Sequence, residues 1–145
     1  MKKLTMAVCL FLALGGQSFA GCVEGDCVNG EGVYEWADGT HYSGSIKNKT
    51  PDGKGTMLYP DGGEYSGDMK EGARSGQGKM SFPDGKKYSG QWAFNLMEGT
   101  GTMTWPDGRV YEGQWMDGML HGKGRLTYPD GKVTEAVWDK GDLKN

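Results

Sequence analysis

At 145 residues, with a formal net charge of −3 at pH 7, 27 glycines and 36 % hydrophobic residues, the chain is sized for one domain. Its mild acidity argues against nucleic acid or anionic lipid as a ligand, because the longest basic run beyond residue 20 is Lys86-Lys87.

In chain order, Met1-Lys2-Lys3 is basic and Leu4 to Leu14 is almost unbroken apolar sequence, followed by Ser18-Phe19-Ala20. This is the pattern of a cleavable signal peptide over residues 1–20. The apolar run falls short of the ~20 residues a spanning helix needs. Cleavage before Gly21 removes Lys2 and Lys3, so the mature chain carries −5 and is expected to be exported, periplasmic or secreted. A competing reading takes Phe19-Ala20-Gly21-Cys22 as a lipobox, with the protein lipid-anchored through Cys22. Against it, Phe19 stands where leucine is usual, and a polar spacer separates the cysteine from the apolar run. Cys9 leaves with the signal, and Cys22 and Cys27 remain as an even pair in an oxidising compartment, which predicts a structural disulfide. So short a loop contributes at most ~2 kcal/mol.

From there the chain repeats. Asp38-Gly39, Asp61-Gly62, Asp84-Gly85, Asp107-Gly108 and Asp130-Gly131 recur every 23 residues without a slip. Tyr42, Tyr65, Tyr88 and Tyr111 each precede a glycine by two residues, and Ile46, Met69, Trp92, Trp115 and Trp138 keep the same step. Gly-x-Gly recurs at 30/32, 53/55, 76/78, 99/101 and 122/124, each followed by an aromatic at Trp36, Tyr59, Phe82, Trp105 or Tyr128. Within a period, two stretches alternate apolar and polar residues, as strands do. Asp-Gly and Pro-Asp-Gly supply the turns, and no segment past residue 20 has helical spacing with caps. The expected fold is all-β: an elongated single-layer antiparallel sheet of serial β-hairpins. Glycines inside the strands leave gaps, over each of which a ring from an adjacent strand is expected to lie. The divisions are a signal peptide at 1–20, a partial N-terminal capping repeat at 21–40, four full repeats at 41–133, and a degenerate C-terminal strand and tail at 134–145.

Tyr111-Glu-Gly-Gln-Trp115-Met-Asp-Gly118, with His121-Gly-Lys-Gly124 and Asp130-Gly131, resembles the MORN repeat. The likeness runs over roughly residues 28 to 138 and implies scaffolding, protein contacts or attachment near membranes. Ile46 and Met69 depart from its tryptophan, Lys49 and Asn95 from its glycine, and only His121 occupies its histidine column.

The residues offer little chemistry. Ser43, Ser66 and Ser89 lie outside any Gly-x-Ser-x-Gly elbow. His41 and His121 are 80 residues apart in a linear array, so a shared site is not expected. Gly72 to Lys79 has Ala73 and Met80 where a phosphate loop requires glycine and Ser/Thr. Met57, Met80 and Met103 share a column with Tyr34 and Leu126, which suits apolar packing better than Cu(I). The Asp-Gly turns offer one carboxylate each, too few for calcium. No enzyme, cofactor or metal is therefore expected. The candidate partner-binding surface is the ring-rich face centred on Tyr88, Trp92, Trp105, Tyr111 and Trp115, for an unknown envelope protein or alternatively a glycan or lipid. The other reading of those rings is that they stack on one another and on the glycine gaps. Oligomeric state is left open.

Overall fold

The structure is a computed structural model that describes residues 20–144. The signal-peptide expectation lies, Ala20 apart, outside the described residues. Twelve strands follow one another: β1 (Gly21–Gly25), β2 (Asn29–Glu35), β3 (His41–Lys47), β4 (Thr50–Leu58), β5 (Glu64–Lys70), β6 (Ala73–Ser81), β7 (Lys87–Ala93), β8 (Leu96–Thr104), β9 (Val110–Met116), β10 (Met119–Thr127), β11 (Val133–Asp139) and β12 (Asp142–Leu143). They form one antiparallel sheet in sequence order. Among the described residues there is no helix, and so none long and apolar enough to cross a membrane.

The register explains the columns. One row across the sheet runs Tyr42↔Met57↔Tyr65↔Met80↔Tyr88↔Met103↔Tyr111↔Leu126. The next row is glycine from Gly32↔Gly44 to Gly113↔Gly124, closing on Ala136. Each tyrosine lies back along its own strand into this trench. A Cβ at Gly101 would stand 2.5 Å from Tyr88 Cζ and 2.6 Å from Cε2, and one at Gly90 would stand 2.6 Å from the hydroxyl oxygen of the same tyrosine. Each ring thus covers two glycines, the one two residues on in its own strand, such as Gly90, and that residue's partner on the adjacent strand, such as Gly101, where the sequence suggested an adjacent-strand ring alone. A phenol ring is long enough to cover its own glycine and the paired one together.

The strands are bent. In the hairpins from β3 to β10 the ladder shifts beside the trench, and Gly76, Gly99 and Gly122 there take φ of 59°, 68° and 58°. Only glycine adopts this conformation without cost. The bend is visible in Arg74, whose Nη1 lies 3.8 Å from Met80 Sδ on the same strand. Six extended residues would span ~20 Å, too far for those two side chains to bridge. The sheet is therefore a trough whose inner face is its core.

Both ends depart from the repeat. At the start, Cys22 and Cys27 are disulfide-bonded with Cα atoms 5.7 Å apart, and Cys22 pairs with Tyr34 in the tyrosine row. Cys27 Sγ would be 3.1 Å from a Cβ on Gly32, so the sulfur covers the first trench glycine as the tyrosine rings cover the others. At the far end Thr134 takes the tyrosine place and Ala136 fills the trench. Trp138 Nε1 is left buried without a partner.

Candidate functional site

The five residues of the expected contact surface lie on one face, but four of them are inside it. Tyr88 and Tyr111 are 1 % and 0 % exposed, and Trp92 and Trp115 are 5 % each. They belong to a ladder of edge-to-face pairs running Tyr65–Trp92–Tyr88–Trp115–Tyr111–Trp138, with ring centroids 5.2 to 5.8 Å apart. Trp92 and Trp115 are each wedged between the tyrosines of two consecutive repeats, an arrangement worth ~0.5–1.5 kcal/mol per pair beyond burial. These four rings cannot serve as an open contact surface as expected. The bent sheet encloses them, and they hold repeat to repeat.

Their polar atoms are used as well. The hydroxyls of Tyr42, Tyr65, Tyr88 and Tyr111 donate to the carbonyls of Ser45, Asp68, Gln91 and Gln114 at 2.7 to 3.0 Å. Trp92 Nε1 donates to Gly78 O at 3.3 Å and Trp115 Nε1 to Gly101 O at 3.1 Å. Burial, reinforced by the charge of Glu98, pushes the Tyr88 hydroxyl up to about 12. Tyr42 and Tyr65 are likewise pushed up to about 12, chiefly by burial. These phenols therefore stay neutral and are poor proton-transfer groups near pH 7.

Trp105, the fifth residue, is half-buried in the outer aromatic column with Trp36, Tyr59, Phe82 and Tyr128. Three of these faces are occupied by cations: Lys86 lies 5.9 Å over Phe82, Arg109 5.3 Å over Trp105 and Lys132 5.8 Å over Tyr128. Rings so covered are poor platforms for a sugar. A hollow of about 430 Å³ lies among the first repeats, lined by Trp36, Thr40, Lys49, Pro51 and Met57 among others.

The remaining candidates fall where the sequence suggested. Ser43, Ser66 and Ser89 are exposed on the outer face. His41 faces Glu35 at 3.9 Å and His121 faces Asp139 at 3.6 Å, each by itself. Met57, Met80 and Met103 are buried between tyrosines. The turn carboxylates of Asp38, Asp61, Asp84, Asp107 and Asp130 each accept the backbone N–H two residues on. That bond is the main cause holding the Asp38 and Asp107 carboxyls below their usual range. Among the described residues no three His, Cys, Asp or Glu side chains gather as a metal-binding set.

Sequence reasoning missed two structural groups. Asp68, Gln91 and Gln114 accept the N–H groups of Gln77, Thr100 and Lys123, which the bulges take out of the ladder. Their shared column, three residues after each tyrosine, was the available signal. The second group is the tip turns. Asn48-Lys49, Glu71-Gly72, Phe94-Asn95, Asp117-Gly118 and Lys140-Gly141 all have two consecutive positive φ angles, the conformation of a two-residue hairpin loop. In each, the second residue's N–H donates to a carbonyl of the previous repeat, at Val28, Pro51, Arg74, Met97 and Leu120. The backbone of these tips is constant, while their side chains are basic, acidic, aromatic or small.

With this geometry in hand, a family model described as MORN repeat matches residues 29–41, 42–64, 65–87, 88–108 and 111–133. No curated protein matches the sequence. Among solved structures, the TCP domain of SAS-4 from Drosophila melanogaster, in complex with a proline-rich motif of Ana2, is 15 % identical with a TM-score of 0.49. That overlap covers 76 % of this chain and 61 % of that one. The wild-type TCP10 domain of Danio rerio CPAP is 20 % identical with a TM-score of 0.34, over 80 % of this chain and 59 % of that one. The chain thus spans less than two thirds of either, and at these scores neither likeness speaks to function or partner.

Proposed function

This chain belongs to the MORN-repeat family, and from that premise we propose that it is a non-catalytic protein-interaction or scaffolding module of the cell envelope. The observation that carries the reading is the contrast at the hairpin tips. Five turns share one backbone conformation and one bond to the preceding repeat, yet no two present the same side chains. Such a frame holds different chemical surfaces at fixed spacing, which suits the recognition of macromolecules and offers no convergent acid–base site.

The envelope half of the proposal rests on the signal-peptide pattern of residues 1–20 and on Cys22. A sulfur bonded to Cys27 is not free to carry a lipid, so the disulfide supports an exported form without an anchor. Intact mass of the fractionated protein tests this. A chain beginning at Gly21, with its two thiols oxidised, is expected in the envelope or medium. A cytosolic chain that retains residues 1–20, or one heavier by a diacylglyceryl group, would overturn it. The interaction half is tested by lysine-reactive crosslinking confined to the envelope of intact cells. Discrete adducts above the monomer are expected, and a monomer alone would refute the scaffold.

A further inference from the structure

We propose that the two lips of the trough at the start of the array form a seat for an alkylammonium zwitterion, the chemistry that the carboxy-terminal lysine of a partner protein presents. This rests on the interaction-module reading and names what one part of the surface recognises. The other repeats show what such a seat holds. Two residues after the turn aspartate, the last three turns carry Lys86, Arg109 and Lys132, each lying over the aromatic ring of its own turn. Lys86 and Arg109 also pair with the carboxylates of Asp84 and Asp107, at 2.9 and 2.8 Å. A ring and a carboxylate at this place thus accept an ammonium or a guanidinium. The first turn keeps the ring of Trp36 and the carboxylate of Asp38, but Thr40 stands where the cation would be. Among the described residues no cation lies over Trp36 and none pairs with Asp38.

The opposite lip is altered in the same place. Pro51, Arg74, Met97 and Leu120 share one column, paired with Ile46, Met69, Trp92 and Trp115. In the second full hairpin Arg74 reaches across the bend, its guanidinium 4.6 Å over Trp92 and its Nη1 3.8 Å from Met80 Sδ. Pro51 has no side chain of that reach. Met57, which stands in the column of Met80, is left lining the hollow of about 430 Å³, together with the turn residues Trp36, Asp38 and Thr40. With neither a turn cation nor a long tip side chain, the first full hairpin leaves open the space that Arg74 occupies in the next.

The charges facing the hollow specify the ligand. Asp38 lines it from the turn and Lys49 from the tip, and among the described residues they are the only charged side chains that do. Neither has an ion-pair partner among the described residues. Glu35, His41, Lys47, Asp52 and Glu71 are near in sequence but do not line it; Glu35 faces His41 at 3.9 Å, and Asp52 accepts the Glu71 N–H at 3.2 Å. One unpaired charge of each sign, on opposite lips, favours neither a simple cation nor a simple anion. It matches a ligand with an ammonium at one end, against Trp36 and Asp38, and a carboxylate at the other, against Lys49. A lysine at the end of a chain carries both, joined by an apolar stem that can lie along Met57 and Pro51. A lysine within a chain lacks the carboxylate.

The test titrates the purified protein, its disulfide intact, into a short fluorescent peptide ending in lysine. The same peptide amidated at that lysine, and one ending in leucine, are the controls. Wild type is expected to bind the first at least about tenfold more tightly than either control, and ε-aminocaproate, an alkylammonium with a carboxylate, is expected to displace it. Thr40→Lys copies Lys86 and supplies the missing cation from within, so it should abolish binding while thermal unfolding stays near that of wild type. Should that variant fold poorly, Lys49→Gly copies Gly72 and suits the φ of 64° at this position. It is expected to bind the lysine peptide no better than wild type binds the amide. No binding by wild type, equal binding of the amidated or leucine peptide, undiminished binding by a folded variant, or no displacement would overturn the seat. Affinity for free ε-aminocaproate equal to that for the peptide would overturn the protein tail as its source. Absence of envelope crosslinks in wild type would instead remove the interaction-module reading, which this titration does not touch.

Discussion

Gly101→Ala is expected to destabilise the protein by about 2–4 kcal/mol, although it adds a single methyl group at a position with ordinary backbone angles. Its Cβ would stand 2.5 Å from Tyr88 Cζ, and the ring is closed in by Trp92 and Trp115. The phenol must swing out, giving up its bond to the Gln91 carbonyl, worth ~1 kcal/mol. The overpacking strain adds ~1–3 kcal/mol. Gly62→Ala is the control. Gly62 sits at φ 90° with nothing within 4 Å of its added Cβ, so only backbone strain remains, at ~1 kcal/mol. Urea denaturation of the two variants separates steric exclusion by the ring from the general demand for glycine. Similar losses for both would show that the trench is conformational rather than a seat for tyrosine.

Tyr88→Ala should cost about 4 kcal/mol, near the range for large aromatic truncations. It removes a side chain that is 1 % exposed and leaves Trp92 and Trp115 without a shared edge-to-face partner. Tyr88→Phe keeps the ring and forfeits only the hydroxyl bond, so a loss of ~1 kcal/mol is expected. Hydrogen exchange should place the weakening in β7 to β9, because contacts run between neighbouring repeats. A small loss for the alanine variant, or one spread evenly along the chain, would contradict the ladder.

The strand order and the turns were legible because they follow from spacing. A 23-residue step with alternation on either side of Asp-Gly admits little besides serial hairpins. What spacing does not carry is curvature. The sequence places Tyr88, Trp92, Tyr111 and Trp115 on one face of a sheet, but whether that face is open depends on how far the strands bend at Gly76, Gly99 and Gly122. A hint was present. The column of Trp92 and Trp115 also holds Ile46 and Met69, and the mixing of apolar types that marked Met57, Met80 and Met103 as core marks this column too. The tip residues were overlooked for the opposite reason. Phe94 stands in one column with Asn48, Glu71, Asp117 and Lys140, so the kinship of the tips appears only when the five turns share a backbone.

Removing one whole period, Tyr65 to Lys87, tests the central claim that this is a one-dimensional stack of equivalent hairpins. The deletion joins Glu64 to Tyr88, so Met57 would meet Tyr88 as it now meets Tyr65, and Trp92 would be wedged against Tyr42. Circular dichroism is expected to show an unchanged β spectrum and a single cooperative thermal transition at a lower midpoint, since one nearest-neighbour interface is lost. A shortened chain with no cooperative transition would contradict that claim and point to a closed core that depends on every strand.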